Sequence, residues 1–202
     1  MLKHGKLCVT LMATKIRLLI IFVFVVFAWA LALASAPKAE LTPLTAKELN
    51  SKIKNSGAKI TIVNLWATWC EPCKEEMPEL VNLRERLASK GVELVLVSAD
   101  TGADLKKAAS FLEQSGVRFQ TYRLAQAPDK FMKEFETHWP AVLPTTMVFD
   151  IQRQRIGYWT SRVPIKELEA RVEKGLARLA SGGKIGSDQK DSRKNKRESI
   201  SK

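Results

Sequence analysis

Two cysteines three residues apart, in the stretch Trp69-Cys70-Glu71-Pro72-Cys73-Lys74, are the residues of this chain best suited to chemistry. The segment before them, Lys59 to Trp66, reads Lys-Ile-Thr-Ile-Val-Asn-Leu-Trp, a β-branched run suited to a buried strand. After them, Met77, Leu80, Val81, Leu83 and Leu87 recur at helical spacing from Pro72 to Ser89, and Gly91 stops the pattern. The pair therefore stands where a strand gives way to a helix. The first turn of a helix has unpaired N–H groups and a partial positive charge, and both favour a thiolate over a thiol. The thiolate is the form that attacks disulfides, which makes Cys70 the expected nucleophile. Cys73, one turn inside the same helix, is placed to resolve the mixed disulfide. Pro72 stiffens that turn at a site that needs no hydrogen-bond donor.

Other uses of the pair fit less well. Half a zinc site needs a second pair or a nearby histidine, and the chain has only His4 and His138, so no metal or cofactor is expected. Closing a four-residue loop brings little loop-entropy benefit, which argues against a purely structural disulfide. Two soft thiolates suit copper(I), but Met77 is the only close thioether and helical packing accounts for it. The third cysteine, Cys8, lies in the N-terminal basic region and is assigned no role.

Around this centre the elements alternate. Thr45-Ala46-Lys47-Glu48 has capping-box spacing and opens a short helix that ends near Gly57. Val92–Ser98 reads as a second buried strand, Asp104–Gln114 as a helix, Val117–Leu124 as a third strand and Asp129–Glu136 as a shorter helix. Thr145–Asp150 and Arg155–Trp159 read as strands joined by a tight turn, and Pro164 opens a last helix to about Leu179. Strands alternating with helices imply an α/β domain of three layers, with a parallel sheet and an antiparallel edge from the closing hairpin.

Trp66-Ala67-Thr68-Trp69-Cys70-Glu71-Pro72-Cys73, followed some seventy residues later by Leu143-Pro144-Thr145, resembles the thioredoxin superfamily. Within it, Met77-Pro78-Glu79-Leu80 and the Glu-Pro between the cysteines resemble the exported TlpA-like, ResA-like and CcmG-like thiol:disulfide oxidoreductases. The resemblance covers about residues 40–180 and implies a thioredoxin-like fold with a mixed central sheet flanked by helices. It implies that the bond before Pro144 is cis, and that Leu143, Pro144 and Thr145 lie beside the cysteines and pair with an extended substrate segment. Trp66 and Trp69 shield the thiols in this reading, and Trp69 joins the substrate-binding set. His138 falls on the loop before Pro144.

The acid–base groups depart from thioredoxin, which has a buried aspartate six residues before its first cysteine. Here that position is Asn64, which cannot shuttle a proton. Glu71 and Glu76 are the available carboxylates, and Glu76 also matches a glutamate of the ResA-like pattern. A carboxylate near Cys73 can take its proton as it attacks, although its charge opposes thiolate formation. Glu76 is the expected acid–base residue; the plainer reading is a solvated helix residue beside Glu75.

The ends carry most of the formal charge of +12. Residues 1–36, residues 37–180 and residues 181–202 each contribute +4, so the long middle is only mildly basic. No basic, aromatic-laced face is present there, and nucleic acid is not an expected partner. Leu18–Ala34 is an unbroken apolar run behind Lys15 and Arg17, followed by Ser35-Ala36-Pro37. That is the order of a secretory signal, and the run is also long enough to anchor in a membrane. Either way positive charge stays in the cytoplasm, and the chain beyond residue 36 is exported to the periplasm or a similar compartment. Residues 181–202 read as a basic tail with too little apolar surface to order itself.

The expected organisation is thus a signal or anchor over 1–36, a thioredoxin-like domain over 37–180 and the tail. The resemblance implies reduction of client disulfides, such as Cys-x-x-Cys-His segments of apocytochromes c, with a membrane thiol donor restoring the pair. The alternative is a thioredoxin-like binding module, redox-inert or loaded with copper(I).

Overall fold

The computed structural model describes Arg17, residues 41–136, residue 140 and residues 142–182. The chain divides into two units, residues 1–38 and 39–202, and the strands and helices named below belong to the second. The apolar run from Leu18, His138 and the tail beyond Gly182 lie outside the described residues.

Among the described residues six strands, β1 (Leu41–Leu44), β2 (Ile60–Trp66), β3 (Val92–Ser98), β4 (Thr121–Leu124), β5 (Thr145–Asp150) and β6 (Arg155–Trp159), form one sheet in the order β1-β4-β3-β2-β5-β6. The pairings from β1 through β2 are parallel, whereas those of β5 with β2 and with β6 are antiparallel, so β5 alone runs against the rest of the sheet. Five α-helices stand with the sheet among the described residues: α1 (Ala46–Asn55), α2 (Glu71–Leu87), α3 (Asp104–Gln114), α4 (Pro128–Phe135) and α5 (Ile165–Ala180). Period-two alternation divides the strands between two cores. Ile60, Ile62 and Trp66 of β2 join residues of α2, α3 and α5 on one face. Val63 and Leu65 join residues of α1 and α4 on the other. The result is the three-layer α/β arrangement expected from the strand–helix alternation. Gly175 lets α5 approach the sheet, since a Cβ there would stand 2.7 Å from Ile156 Cδ1 and 2.9 Å from Ile60 Cδ1.

The capping box at α1 is formed: Glu48 N–H donates to Thr45 Oγ1 at 3.2 Å, and Thr45 N–H donates to the Glu48 carboxylate at 2.7 Å. Two strands differ from expectation. The strand expected over Val117–Leu124 starts only at Thr121. The preceding residues finish α3 with a Schellman motif: Val117 N–H reaches Leu112 O, Gly116 N–H reaches Glu113 O, and Gly116 takes φ +78°. Strand β1 has no counterpart among the expected elements; it is four residues long and holds Pro43 at a sheet edge, where a missing amide is tolerated.

Candidate active site

The strand β2 lies between a parallel and an antiparallel neighbour, and its carboxyl end feeds α2 through the turn Ala67–Cys70. Ligand sites of open α/β sheets lie outside the carboxyl ends of such strands. Cys70 N–H closes the turn on Ala67 O at 3.2 Å. Cys70 is the N-cap of α2, Pro72 occupies its first turn, and Cys70 and Cys73 form a disulfide with Cα atoms 5.3 Å apart. Both cysteines are buried, Cys70 slightly less than Cys73. The N-cap is the place where a side-chain acceptor can meet the free amides of the first turn, and in the disulfide the Cys70 side chain makes no such bond.

The turn is held from β3. Asp100 is buried and accepts Thr68 N–H at 3.1 and 3.0 Å on its two oxygens, Thr68 Oγ1–H at 2.6 Å and Ser98 Oγ–H at 2.8 Å. Trp66 O accepts Ala99 N–H at 2.8 Å, which fixes the same two strand ends together. Nothing in the sequence singles out Asp100, because its partner Thr68 is 32 residues away.

Glu76 is not a solvated residue. It lies three positions after Cys73 on the buried side of α2 and is only 1% exposed. Its Oε1 accepts Asn64 Nδ2–H at 2.8 Å and its Oε2 accepts Val163 N–H at 3.0 Å. Arg162 holds the neighbouring carboxylates Glu75 and Glu79 at 3.0 and 3.3 Å. Burial pushes the Glu76 carboxyl above its ordinary 4.5, with the bonds from Val163 and Asn64 and the Arg162 charge pulling the other way. Glu71, by contrast, is exposed and paired with Lys74.

That direction has a consequence for stability. Between pH 4.5 and the higher folded value, the folded protein keeps a proton on Glu76 that the unfolded chain has released. Stability from this group therefore falls as pH rises through that window. Urea unfolding of the oxidised protein and of Glu76→Gln between about pH 4 and 8 is expected to give a difference that declines with pH. A difference that rises instead would contradict the assignment of burial as the dominant effect.

The Leu143–Pro144 peptide bond is cis, as the resemblance implies. Leu143 is half-buried and packs against the core cluster that contains Cys70 and Cys73. Pro144 and Thr145 are buried, and the Thr145 hydroxyl donates to Val142 O at 2.7 Å, so its side chain is turned into the fold. Trp69 stands out from the surface at 67% exposure, and Val142 is exposed as well. Trp66, in contrast, is fully buried against Phe111. Among the described residues no cluster of His, Cys, Asp and Glu is arranged to hold a metal.

Of the residues expected at the site, Cys70, Cys73 and Glu76 lie along the first turns of α2 and the cis Pro144 precedes β5. The contacts of Asn64, Thr146, Val163 and Arg162 with Glu76 or its neighbours are not read from the sequence. One signal is available: Asn64 shares strand parity with Ile62 and Trp66, so it faces α2.

The AhpC/TSA family model matches residues 33–156. Thiol-disulfide oxidoreductase ResA of Bacillus thuringiensis (strain Al Hakam) is 32% identical over 143 residues, 69% of this chain and 75% of the relative. Among solved structures, the thioredoxin-related protein from Neisseria meningitidis serogroup B is 32% identical, with a TM-score of 0.51 over 59% of this chain and 87% of that one. A thiol:disulfide interchange protein of the thioredoxin family from Chlorobium tepidum TLS, 22% identical, shares the fold at a TM-score of 0.52 over 68% of this chain and 98% of that one. With a Cys-x-x-Cys disulfide at the end of the central strand, the chain belongs to the AhpC/TSA family of thioredoxin-like proteins and is a thiol:disulfide oxidoreductase related to ResA.

Proposed function

We propose that this oxidoreductase works outside the cytoplasm as a reductase of particular protein disulfides, with Cys-x-x-Cys-His segments of apocytochromes c as the leading client class. The observation that carries the reading is a buried carboxylate, Glu76, set three residues behind the buried Cys73 of the redox pair. Cys70 attacks one sulfur of the client disulfide; a mixed disulfide forms and one client thiolate leaves. Cys73 then passes its proton to Glu76 and attacks the Cys70 sulfur. The Cys70–Cys73 bond forms, the mixed bond breaks and the second client thiolate leaves, so two electrons have moved to the client. A membrane thiol donor returns the pair to its reduced state. A base works best with a proton affinity near the operating pH, and burial moves Glu76 in that direction.

Leu143, Pro144 and Thr145 are the proposed backbone platform for an extended client segment, and the exposed ring of Trp69 is a further proposed client contact. The apolar run 18–34 behind Lys15 and Arg17 supports export, as a cleaved signal or as an anchor to the cytoplasmic membrane. In this organisation residues 37–180 are the catalytic domain and residues 181–202 a basic tail that can meet an anionic membrane surface.

Direction of exchange is set by potential. The Cys70/Cys73 couple is expected to lie below about −200 mV and to reduce an oxidised Cys-x-x-Cys-His peptide. A couple near about −120 mV, the range of a strong oxidant, would reverse the reading. Equilibration against glutathione or a reference thioredoxin, followed by peptide reduction, decides it.

A further inference from the structure

Asn64 is fully buried in the middle of β2, a place where a polar side chain costs free energy unless its hydrogen bonds are made. Its cross-strand partner is Thr146 of β5. Alternation turns Asn64 toward α2 with Ile62 and Trp66, and turns Thr146 the same way as Val148. Asn64 Nδ2 donates to Glu76 Oε1 at 2.8 Å and to Thr146 Oγ1 at 3.0 Å, so both amide hydrogens are engaged. Its Oδ1 is buried with no hydrogen-bond partner among the described residues. The side chain thus acts here purely as a donor, and a leucine of similar size would carry no orphaned oxygen.

We propose that Asn64 is a positioning residue for thiol exchange: its two amide hydrogens tie the Glu76 carboxylate to Thr146, on the strand that begins at the cis-Pro144 loop. The proposal rests on the reading of Glu76 as the group that takes the Cys73 proton. Cys73 and Glu79 share its helix, Asn64 reaches it from β2 with Thr146 behind, and Val163 N–H and the Arg162 charge reach it from the β6–α5 connection. Val163 donates from its backbone, which side-chain substitution leaves in place. Asn64 is therefore the side-chain donor whose replacement changes how firmly Glu76 holds its negative form. Removing the donor makes Glu76 keep its proton to higher pH, and an aspartate there makes two carboxyls share one proton.

The test is a ¹³C NMR titration of the Glu76 carboxyl in the full-length protein, oxidised and reduced, alongside the pH profile of single-turnover reduction of a disulfide peptide. Asn64→Asp is expected to move the Glu76 midpoint up by at least about one pH unit, with the matching limb of the rate profile moving along. Thr146→Val, which frees one amide hydrogen and keeps the core filled, is expected to shift both in the same direction by less. Should Asn64→Asp fail to fold, Thr146→Val carries the test. A carboxyl titration unchanged in the variants that fold would overturn the proposal and leave Asn64 as filling. Glu76→Gln separates the two readings. If it leaves the rate profile intact, the proton-acceptor role of Glu76 falls, and with it the role of Asn64 in exchange.

Discussion

Cys73→Ser is expected to turn the full-length protein from a catalyst into a trap that accumulates a covalent adduct between Cys70 and its clients. Serine cannot displace the client from the mixed disulfide, because its hydroxyl is not ionised and forms no S–S bond. Turnover should drop by at least about 10³-fold while one client equivalent remains bound and is released by dithiothreitol. Cys70→Ser should lose turnover to a similar extent and trap nothing. The difference comes from the site: Cys70 sits at the N-cap of α2, on the turn from β2, while Cys73 is fully buried one turn further in. Mass spectrometry of adducts from a periplasmic extract, and of adducts with a Cys-x-x-Cys-His peptide, reads the outcome. Equal trapping by both variants would contradict the assigned order of attack. Adducts with unrelated proteins only would move the client class away from apocytochromes.

How much of the fold and the site is legible in the amino acids depends on how local the signal is. The cysteines stand out because four adjacent residues, a strand run before them and a helical pattern after them carry the chemistry together. Strands β2, β3, β5 and β6 are dense in β-branched and aromatic residues, and their bounds in the fold lie within a residue of expectation. β1 escapes notice because four residues with a proline are too short for any period to show, and its pairing with β4 is a tertiary fact. β4 is expected too long because Val117 is apolar and buried, yet its amide is committed to capping α3. At the site, Glu76 is recognisable as a carboxylate close to Cys73, but its burial depends on donors 12 and 87 residues away. Asn64 draws attention in the sequence only as a missing acid. Its parity with Trp66 shows that it faces the helix, and the structure gives it a partner there.

Asp100→Ala is expected to destabilise the protein and to slow exchange together, although Asp100 lies 30 residues from Cys70 in the chain. The side chain accepts from Thr68 N–H, Thr68 Oγ1–H and Ser98 Oγ–H, and alanine leaves all three donors without it. A buried donor stripped of its acceptor costs about 1–3 kcal/mol. Thr68 is only half-buried and water can replace part of the loss, so about 2–3 kcal/mol in total is expected from urea unfolding. Thr68 is also the middle of the turn that delivers Cys70 to the N-terminus of α2. Loosening that turn misplaces the attacking sulfur, and a shift of about 1 Å can cost about a hundredfold in rate. Single-turnover exchange, measured where the variant is still fully folded, should therefore fall by one to two orders of magnitude, roughly in line with that cost. Asp100→Asn keeps one acceptor oxygen and should lie between the two, because its NH₂ meets donors it cannot satisfy. Thr68→Val removes the hydroxyl bond alone. Its effect should not add to that of Asp100→Ala, since the two changes delete the same contact. Full additivity, or a loss of stability with exchange unaltered, would mean that Asp100 supports the sheet end and leaves the position of Cys70 to the helix.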